Sequence, residues 1–229
     1  MSCRVAANWM RRVAKTAIMM PALVMVLAAG APVWAFDTTP LNWDEVFAPW
    51  TKAISVEGAL AHYGSRLPGD GIQAWNLAGR ISLFPFGNFD LRRHKYLKYL
   101  GGAFELGAEP MFAHFRNKGQ NFAGLGVAGH YYFTGMSFYR IVPWIGGAAI
   151  PGGSDLDLGT ETGGTRLTGP FLATIQGEAG ASYFVTPRQL VYLGLQAEHF
   201  SNAMLNGTYH NYSLNTPWGG VLGYTFLFK

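Results

Sequence analysis

The feature that most constrains the fold of this chain is an alternation of apolar and polar residues with a period of two. Successive side chains of a β-strand point to opposite faces of a sheet, so the period predicts strands with one apolar and one polar face. The clearest case lies between residues 171 and 183, where Phe171, Ala173, Ile175, Ala179, Ala181 and Tyr183 oppose Thr174, Gln176, Glu178 and Ser182. Eight such segments are predicted, at about residues 52–63, 73–84, 100–112, 121–133, 137–148, 170–184, 189–201 and 216–228.

The length of these segments favours a membrane protein. Each spans 12 to 15 residues, whereas strands of soluble proteins usually have about 5–6 residues and bilayer-crossing strands about 9–11. After residue 35, no stretch approaches the roughly 18 apolar residues that a membrane-spanning helix requires. The chain also ends in an aromatic strand, Gly223 to Lys229. These features predict an all-β fold, an eight-stranded antiparallel up-and-down transmembrane β-barrel with its apolar face outward.

The first 35 residues are typical of a secretory signal peptide. Arg4, Arg11, Arg12 and Lys15 precede an apolar run, and Val33 and Ala35 provide the small residues of a cleavage site. We therefore predict residues 1–35 as the signal peptide and residues 36–229 as the outer-membrane β-barrel domain. Without the four basic residues of the leader, 13 basic side chains face 13 acidic ones. This balance removes the basic face that a nucleic-acid-binding protein needs.

The connections between strands predict which end of the barrel is which. Residues 134–136 and 185–188 are short and suit periplasmic turns, whereas residues 149–169 and 202–215 are long and suit outer loops. The connection 85–99 departs from this rule. It carries Arg92, Arg93, His94, Lys95 and Lys98, and we interpret it as a solvated basic loop rather than a phosphate-binding patch. Whether residues 36–50, with Trp43, Phe47 and Trp50, form a helix, a plug or a tail stays open.

Charged residues on the polar faces of the strands are expected to pair across the lumen, because unpaired buried charges are costly. This structural role is predicted for Arg80, Glu105, Glu109, His130, Arg140 and Glu178.

The strand 189–201 breaks its own pattern near its end. Val191, Leu193, Leu195 and Ala197 form its apolar face, and by the same parity His199 and Ser201 lie on that face. An ionisable ring and a hydroxyl directed at lipid are costly unless they have a function or lie at the headgroup level. Residues two apart on a strand are about 6.5–7 Å apart on one face, within reach of an imidazole that activates a hydroxyl. The alternative is that these residues merely end a strand.

The run His199-Phe200-Ser201-Asn202-Ala203, followed by a loop and a last aromatic strand, resembles the PagL-type lipid A 3-O-deacylases. The resemblance implies an eight-stranded barrel of the bacterial outer membrane that hydrolyses the ester at the 3-position of lipid A, with its active site on the outer wall. It implies Ser201 as nucleophile, His199 as general base and Asn202 as oxyanion-hole donor.

The third member of the triad departs from the family pattern, which has a carboxylate or, in some relatives, an asparagine after the following loop. The resemblance points to Asn215 as the residue that orients the imidazole, with His210 and Asn211 as alternatives. Glu198 is rejected for this role because its parity directs it into the lumen. An asparagine carbonyl can orient the ring but cannot neutralise the imidazolium that forms.

The resulting hypothesis is a lipid A ester hydrolase that needs no cofactor and no metal, with lipopolysaccharide as its substrate. The sequence does not reveal the oligomeric state, and a homodimer is left open. The rival hypothesis is a non-catalytic small barrel with a structural or adhesive role, carried by its long outer loops. An acyltransferase with a lumenal site would need an inward-facing nucleophile, which the parity of His199 and Ser201 opposes.

Overall fold

A computed structural model of the chain describes residues 39–63, 72–91, 93–116, 118–155, 171–201 and 213–229, with the backbone alone for residues 213–218. The predicted signal peptide, residues 1–35, lies outside the described residues. Within them, no helix is long and apolar enough to cross a membrane.

Almost all of the described chain is β-strand. The strands are β1 (Thr51–Tyr63), β2 (Ile72–Phe84), β3 (Asn88–Phe89), β4 (Gly102–Phe115), β5 (Gln120–Tyr132), β6 (Ile141–Ser154), β7 (Phe171–Thr186), β8 (Gln189–Ser201) and β9 (Ser213–Phe228). A four-residue helix, α1 (Trp43–Val46), precedes them, and single 3-10 turns cover Lys98–Leu100 and Thr134–Met136.

The long strands close into a barrel. Each pairs antiparallel with the next long strand, and β1 pairs with both β2 and β9, so the sheet has no free edge between first and last strands. The two-residue strand β3 adds only to the start of β4. The predicted eight-stranded antiparallel barrel is confirmed.

One predicted strand is misplaced along the chain. The pattern placed it at 137–148, but β6 runs from Ile141 to Ser154, so residues 149–154 belong to a strand and not to the predicted outer loop. Residues 137–140 belong instead to a connection that begins with the 3-10 turn, and Tyr139 has a left-handed backbone (φ 54°) that cannot continue a strand. The predicted turn 134–136 is therefore longer than expected. The glycines of 146–153 remain in the strand because both neighbouring strands pair with them, and Pro151 pairs with Ala173 of β7.

Burial alternates along the strands and shows which face meets the surroundings. In β1 every second residue is buried and the residues between them are exposed or half-buried. Large apolar side chains are exposed on the outer wall of every long strand, at Ile54, Leu60, Ile81, Leu106, Leu125, Val127, Ile145, Ile175, Leu193, Leu195, Leu222 and Phe226. A wall of this kind is stable only in contact with hydrocarbon, which is the arrangement of a transmembrane barrel.

The segment before β1 closes one end of the barrel, here called the N-terminal end. The side chain of Asn42 caps α1 by accepting a hydrogen bond from the backbone N–H of Asp44 (3.2 Å). Phe47 follows the helix, is fully buried, and packs against the rings of Phe84 (4.8 Å), Tyr132 (5.3 Å) and Phe184 (5.7 Å). This segment, left open by the sequence, is thus a short helix followed by an aromatic plug.

The middle of the lumen holds a charged layer. The Arg80 guanidinium contacts Glu105 (3.1 Å), Glu109 (2.9 Å) and Glu57 (3.6 Å), and His130 Nε2 lies 3.4 Å from Glu178. The predicted lumenal pairing is confirmed for Arg80, Glu105, Glu109, His130 and Glu178, and Glu57 joins them without having been predicted.

The prediction for Arg140 is wrong in its location. Arg140 belongs to the connection before β6, where it donates to the backbone carbonyls of Thr39 (3.2 Å) and Val185 (3.0 Å). Arg140 therefore ties the N-terminal segment to the end of β7. The prediction failed because a residue outside the strands does not follow their alternation.

Because the ring of His130 is held in place, Gly146 should not tolerate a side chain. A Cβ at Gly146 would overlap the imidazole, and the ring cannot retreat easily because it stacks on Trp144 (5.0 Å) and contacts Glu178. We expect Gly146→Ala to lower the free energy of unfolding by about 1–3 kcal/mol, as overpacking does, in urea titrations of the barrel in vesicles. Gly177→Ala is the matched control, since a Cβ there meets no atom within 4 Å. Equal stability of the two variants would contradict the prediction.

Candidate functional site

The candidate site lies on the outer wall at the end of β8. Even-numbered residues near this end are buried in the lumen, including Glu198 and Phe200, whereas Leu193, Leu195 and Ala197 are exposed on the outside. His199 and Ser201 are half-buried and continue the outer series. The strand therefore presents an imidazole and a hydroxyl on the same outer face, at successive positions of that face.

The register of the two neighbouring strands defines which residues lie opposite His199 and Ser201. On β7, Ile175 is directly opposite His199, and Ala173 is opposite Ser201. On β9, the Cα of Asn215 is paired with that of His199, and Ser213 is paired with Ser201. The backbone register thus places Asn215, rather than another residue of the last strand, opposite His199.

A β-bulge sets this register. Gln196 is opposite Gly219, but Glu198 is opposite Thr216, so β9 carries one extra residue between these pairs. The extra residue shifts the pairing of β9 above the bulge by one position. With the same residues in regular pairing, Thr216 rather than Asn215 would be opposite His199. The bulge includes Pro217, whose missing N–H suits a position outside the regular ladder.

The inner face of the strand tip is held by Glu198. Its carboxylate accepts hydrogen bonds from Asn76 Nδ2 (2.8 Å), Thr174 Oγ1 (2.9 Å) and Gln176 Nε2 (2.9 Å), and from the Tyr63 hydroxyl. These donors come from β1, β2 and β7. Rejecting Glu198 as the orienting group agrees with this inward position. The sequence did not reveal its anchoring role, although the polar residues on the inner faces of neighbouring strands were a signal.

Aromatic packing fixes the next inward residue in the same way. The ring of Phe200 is fully buried, with centroid distances of 5.1 Å to Phe122, 5.4 Å to Phe115 and 5.7 Å to Tyr63. Glu198 and Phe200 flank His199 in sequence, and Phe200 also precedes Ser201. The backbone that carries the outward pair is therefore held firmly from the lumen side.

Three of the residues considered from the sequence lie outside the described residues, namely Asn202, His210 and Asn211. In the part of the chain that the structure describes, no group of three or more His, Cys, Asp or Glu side chains could hold a metal ion. The described part of the site presents a hydroxyl and an imidazole at successive positions of the outer face of β8.

Comparison with known proteins yields matches of structure alone. No protein-family model matches the chain, and no curated protein matches its sequence. Among solved structures, the chain is similar to the outer membrane enzyme PagL, with a TM-score of 0.50 and 17% identity over 75% of this chain and 98% of that one. It is also similar to Neisserial surface protein A (TM-score 0.44, 17% identity, 77% and 97% coverage) and to OprG from Pseudomonas aeruginosa (0.39, 13%, 79% and 96%).

The closed antiparallel sheet and its apolar outer wall define a small transmembrane β-barrel of the outer-membrane type. The likeness to the enzyme PagL extends over most of both chains and, at 17% identity, concerns the fold.

Proposed function

We propose that this barrel is an ester hydrolase of the bacterial outer membrane that removes the 3-position acyl chain of lipid A. The observation that supports this most is the outward position of both His199 and Ser201 on the lipid-facing wall. A wall position is useless to an enzyme with a soluble substrate, but it suits a substrate that is itself a membrane lipid.

In the proposed reaction, the Ser201 hydroxyl attacks the ester carbonyl while His199 takes its proton. The tetrahedral intermediate collapses to an acyl-serine, and the sugar hydroxyl leaves with the proton that His199 returns. Water then attacks the acyl-serine with the same base, which releases the fatty acid and restores the serine. Asn202 would donate to the oxyanion, and the Asn215 amide oxygen would accept from the imidazole N–H and hold the ring in place.

The location of the site agrees with this substrate. His199 and Ser201 lie at the end of the barrel opposite the N-terminal plug. If the chain termini lie in the periplasm, that end faces the outer leaflet, which contains lipopolysaccharide. Substrate would reach the site by lateral diffusion, and its acyl chain would lie along exposed apolar residues such as Leu195 and Ile175.

The direct test is mass spectrometry of lipid A from cells that express the chain and from cells that lack it. The proposal expects lipid A that has lost the mass of one 3-hydroxyacyl chain, together with the free fatty acid. Unchanged lipid A, from cells in which the barrel is folded in the outer membrane, would contradict the proposal and favour a non-catalytic barrel.

The register of β9 yields a prediction about the orienting residue. We expect Asn215→Ala to reduce the hydrolysis rate by about tenfold, the worth of one neutral hydrogen bond, and His199→Ala to reduce it much further. Rates would be measured on lipid A in mixed micelles with refolded protein. The matched control is Asn211→Ala, four residues earlier in the sequence. A normal rate for Asn215→Ala with a reduced rate for Asn211→Ala would assign the role to Asn211 and contradict this prediction.

A further inference from the structure

A second surface stands out at the opposite end of the barrel from the candidate site. Residues 93–100, here called the basic-aromatic segment, lie in the connection between β2 and β4, and every one of them is exposed. Three carry a fixed positive charge, Arg93, Lys95 and Lys98, and none is acidic. The segment also exposes large apolar side chains, with Tyr96 at 82%, Tyr99 at 54%, Leu100 at 50% and Leu97 at 46%.

This segment is a structured element. Successive turns are closed by the backbone hydrogen bonds from His94 N–H to the carbonyl of Leu91 (2.9 Å), from Lys98 to His94 (3.0 Å) and from Leu100 to Leu97 (2.8 Å). Its side chains are therefore displayed in a defined arrangement, although they are directed away from the protein.

Two hydrogen bonds attach the end of the segment to the rest of the barrel. The Tyr131 hydroxyl donates to the carbonyl of Leu100 (2.6 Å), and the adjacent Gly101 carbonyl accepts from Gly135 N–H (2.8 Å). Tyr131 belongs to the outward series of β5, which includes the exposed Leu125 and Val127. The end of the segment consequently contacts an outward-facing residue of the barrel wall and the turn Thr134–Met136.

The cations and the rings of the segment are paired. Lys95 Nζ lies 5.5 Å from the ring centroid of Tyr96, and Lys98 Nζ lies 4.8 Å from that of Tyr99. Amphipathic side chains of these types place apolar atoms against hydrocarbon and their polar ends among headgroups. Aromatic residues are enriched at the membrane–water interface of membrane proteins because their rings are also amphipathic.

Other exposed aromatic residues continue this surface around the N-terminal end. They are Trp50, Phe86, Phe89, Phe138 and Tyr139. Trp50 and Tyr139 have left-handed backbones (φ 65° and 54°), a costly conformation for aromatic residues. A protein that exposed all these rings to water would carry a large apolar surface at one end.

We propose that the basic-aromatic segment binds the anionic phospholipid headgroups of the leaflet at the N-terminal end. The phosphate groups of that leaflet meet Arg93, Lys95 and Lys98, while Tyr96, Leu97, Tyr99 and Leu100 enter the boundary between headgroups and hydrocarbon. Basic clusters beside a membrane-spanning element are attracted to anionic lipid surfaces in this way. The proposal is independent of the hydrolase activity.

The test places an environment-sensitive fluorophore in the segment of the full chain. Cys3, the one cysteine of the sequence, is replaced by serine, and Tyr96→Cys is labelled with nitrobenzoxadiazole. The barrel is then reconstituted in nanodiscs of phosphatidylcholine, with or without phosphatidylglycerol. We expect phosphatidylglycerol to shift the emission to the blue and raise its intensity. High salt should reverse the effect, because salt screens exposed charges.

Charge-neutral variants distinguish specific binding from a general property of the discs. R93Q/K95Q/K98Q should abolish the response to phosphatidylglycerol, whereas the control R116Q/K118Q, at the other end of the barrel, should retain it. Identical emission in both kinds of disc would overturn the proposal, as would a full response in the triple variant.

Discussion

Replacing Ser201 with alanine should reduce lipid A hydrolysis by about three orders of magnitude or more, while the barrel folds normally. The expected loss is that of a serine nucleophile, without which only binding and oxyanion stabilisation remain. Folding should be unaffected, because the Ser201 side chain lies on the outer wall and the strand tip is held from inside by Glu198 and Phe200.

The measurement combines two readouts on the same preparation. Heat-modifiable migration on gels reports the folded barrel, and mass spectrometry of lipid A reports deacylation. Ser182→Ala is the matched control, since it removes a hydroxyl from the buried, inward-facing side of β7 and should leave the rate unchanged. If the Ser201 variant deacylated lipid A at the wild-type rate, Ser201 would not be the nucleophile.

The largest expected effect on stability comes from Arg80. Its guanidinium is the partner of Glu57, Glu105 and Glu109, and its side chain is only 2% exposed. Arg80→Met keeps much of the volume but leaves these buried carboxylates without their cation. Breaking a buried ion pair from one side typically costs about 3–5 kcal/mol, and we expect a loss of at least this size.

Urea titration of the barrel in phospholipid vesicles, followed by tryptophan fluorescence, would measure this loss. The control is Arg188→Met, because Arg188 is exposed in the turn between β7 and β8. Combining Arg80→Met with Glu105→Gln should restore part of the stability, since the double variant has one fewer unpaired charge. If Arg80→Met were as stable as Arg188→Met, the lumenal charges would not be held by Arg80.

The strands could be predicted from the sequence because alternation is a direct consequence of strand geometry. The prediction for 189–201 agrees with β8, and that for 73–84 is one residue short at the start of β2. The strand prediction failed for β6, because the first residues predicted for it, 137–140, form part of a connection. Turn conformation depends on individual backbone angles such as that of Tyr139, and a period of two does not encode them.

For the candidate site, the sequence predicted only the features that follow from strand alternation, namely which side chains point outward and which point inward. Parity alone placed His199 and Ser201 outside and Glu198 inside, and burial agrees with each of these directions. The pairing of His199 with Asn215 could not be predicted in this way, because it depends on the extra residue in β9. The hydrogen bonds of Glu198 were equally hidden, since their donors lie on three strands that are distant in sequence.

That extra residue in β9 has an evolutionary consequence. Deleting either Pro217 or Trp218 would leave Gln196 opposite Gly219 and Glu198 opposite Thr216, so Asn215 would stay opposite His199 and only the bulge would be lost. A one-codon insertion or deletion in this stretch is therefore absorbed by the bulge, and the tips of β8 and β9 keep their partners.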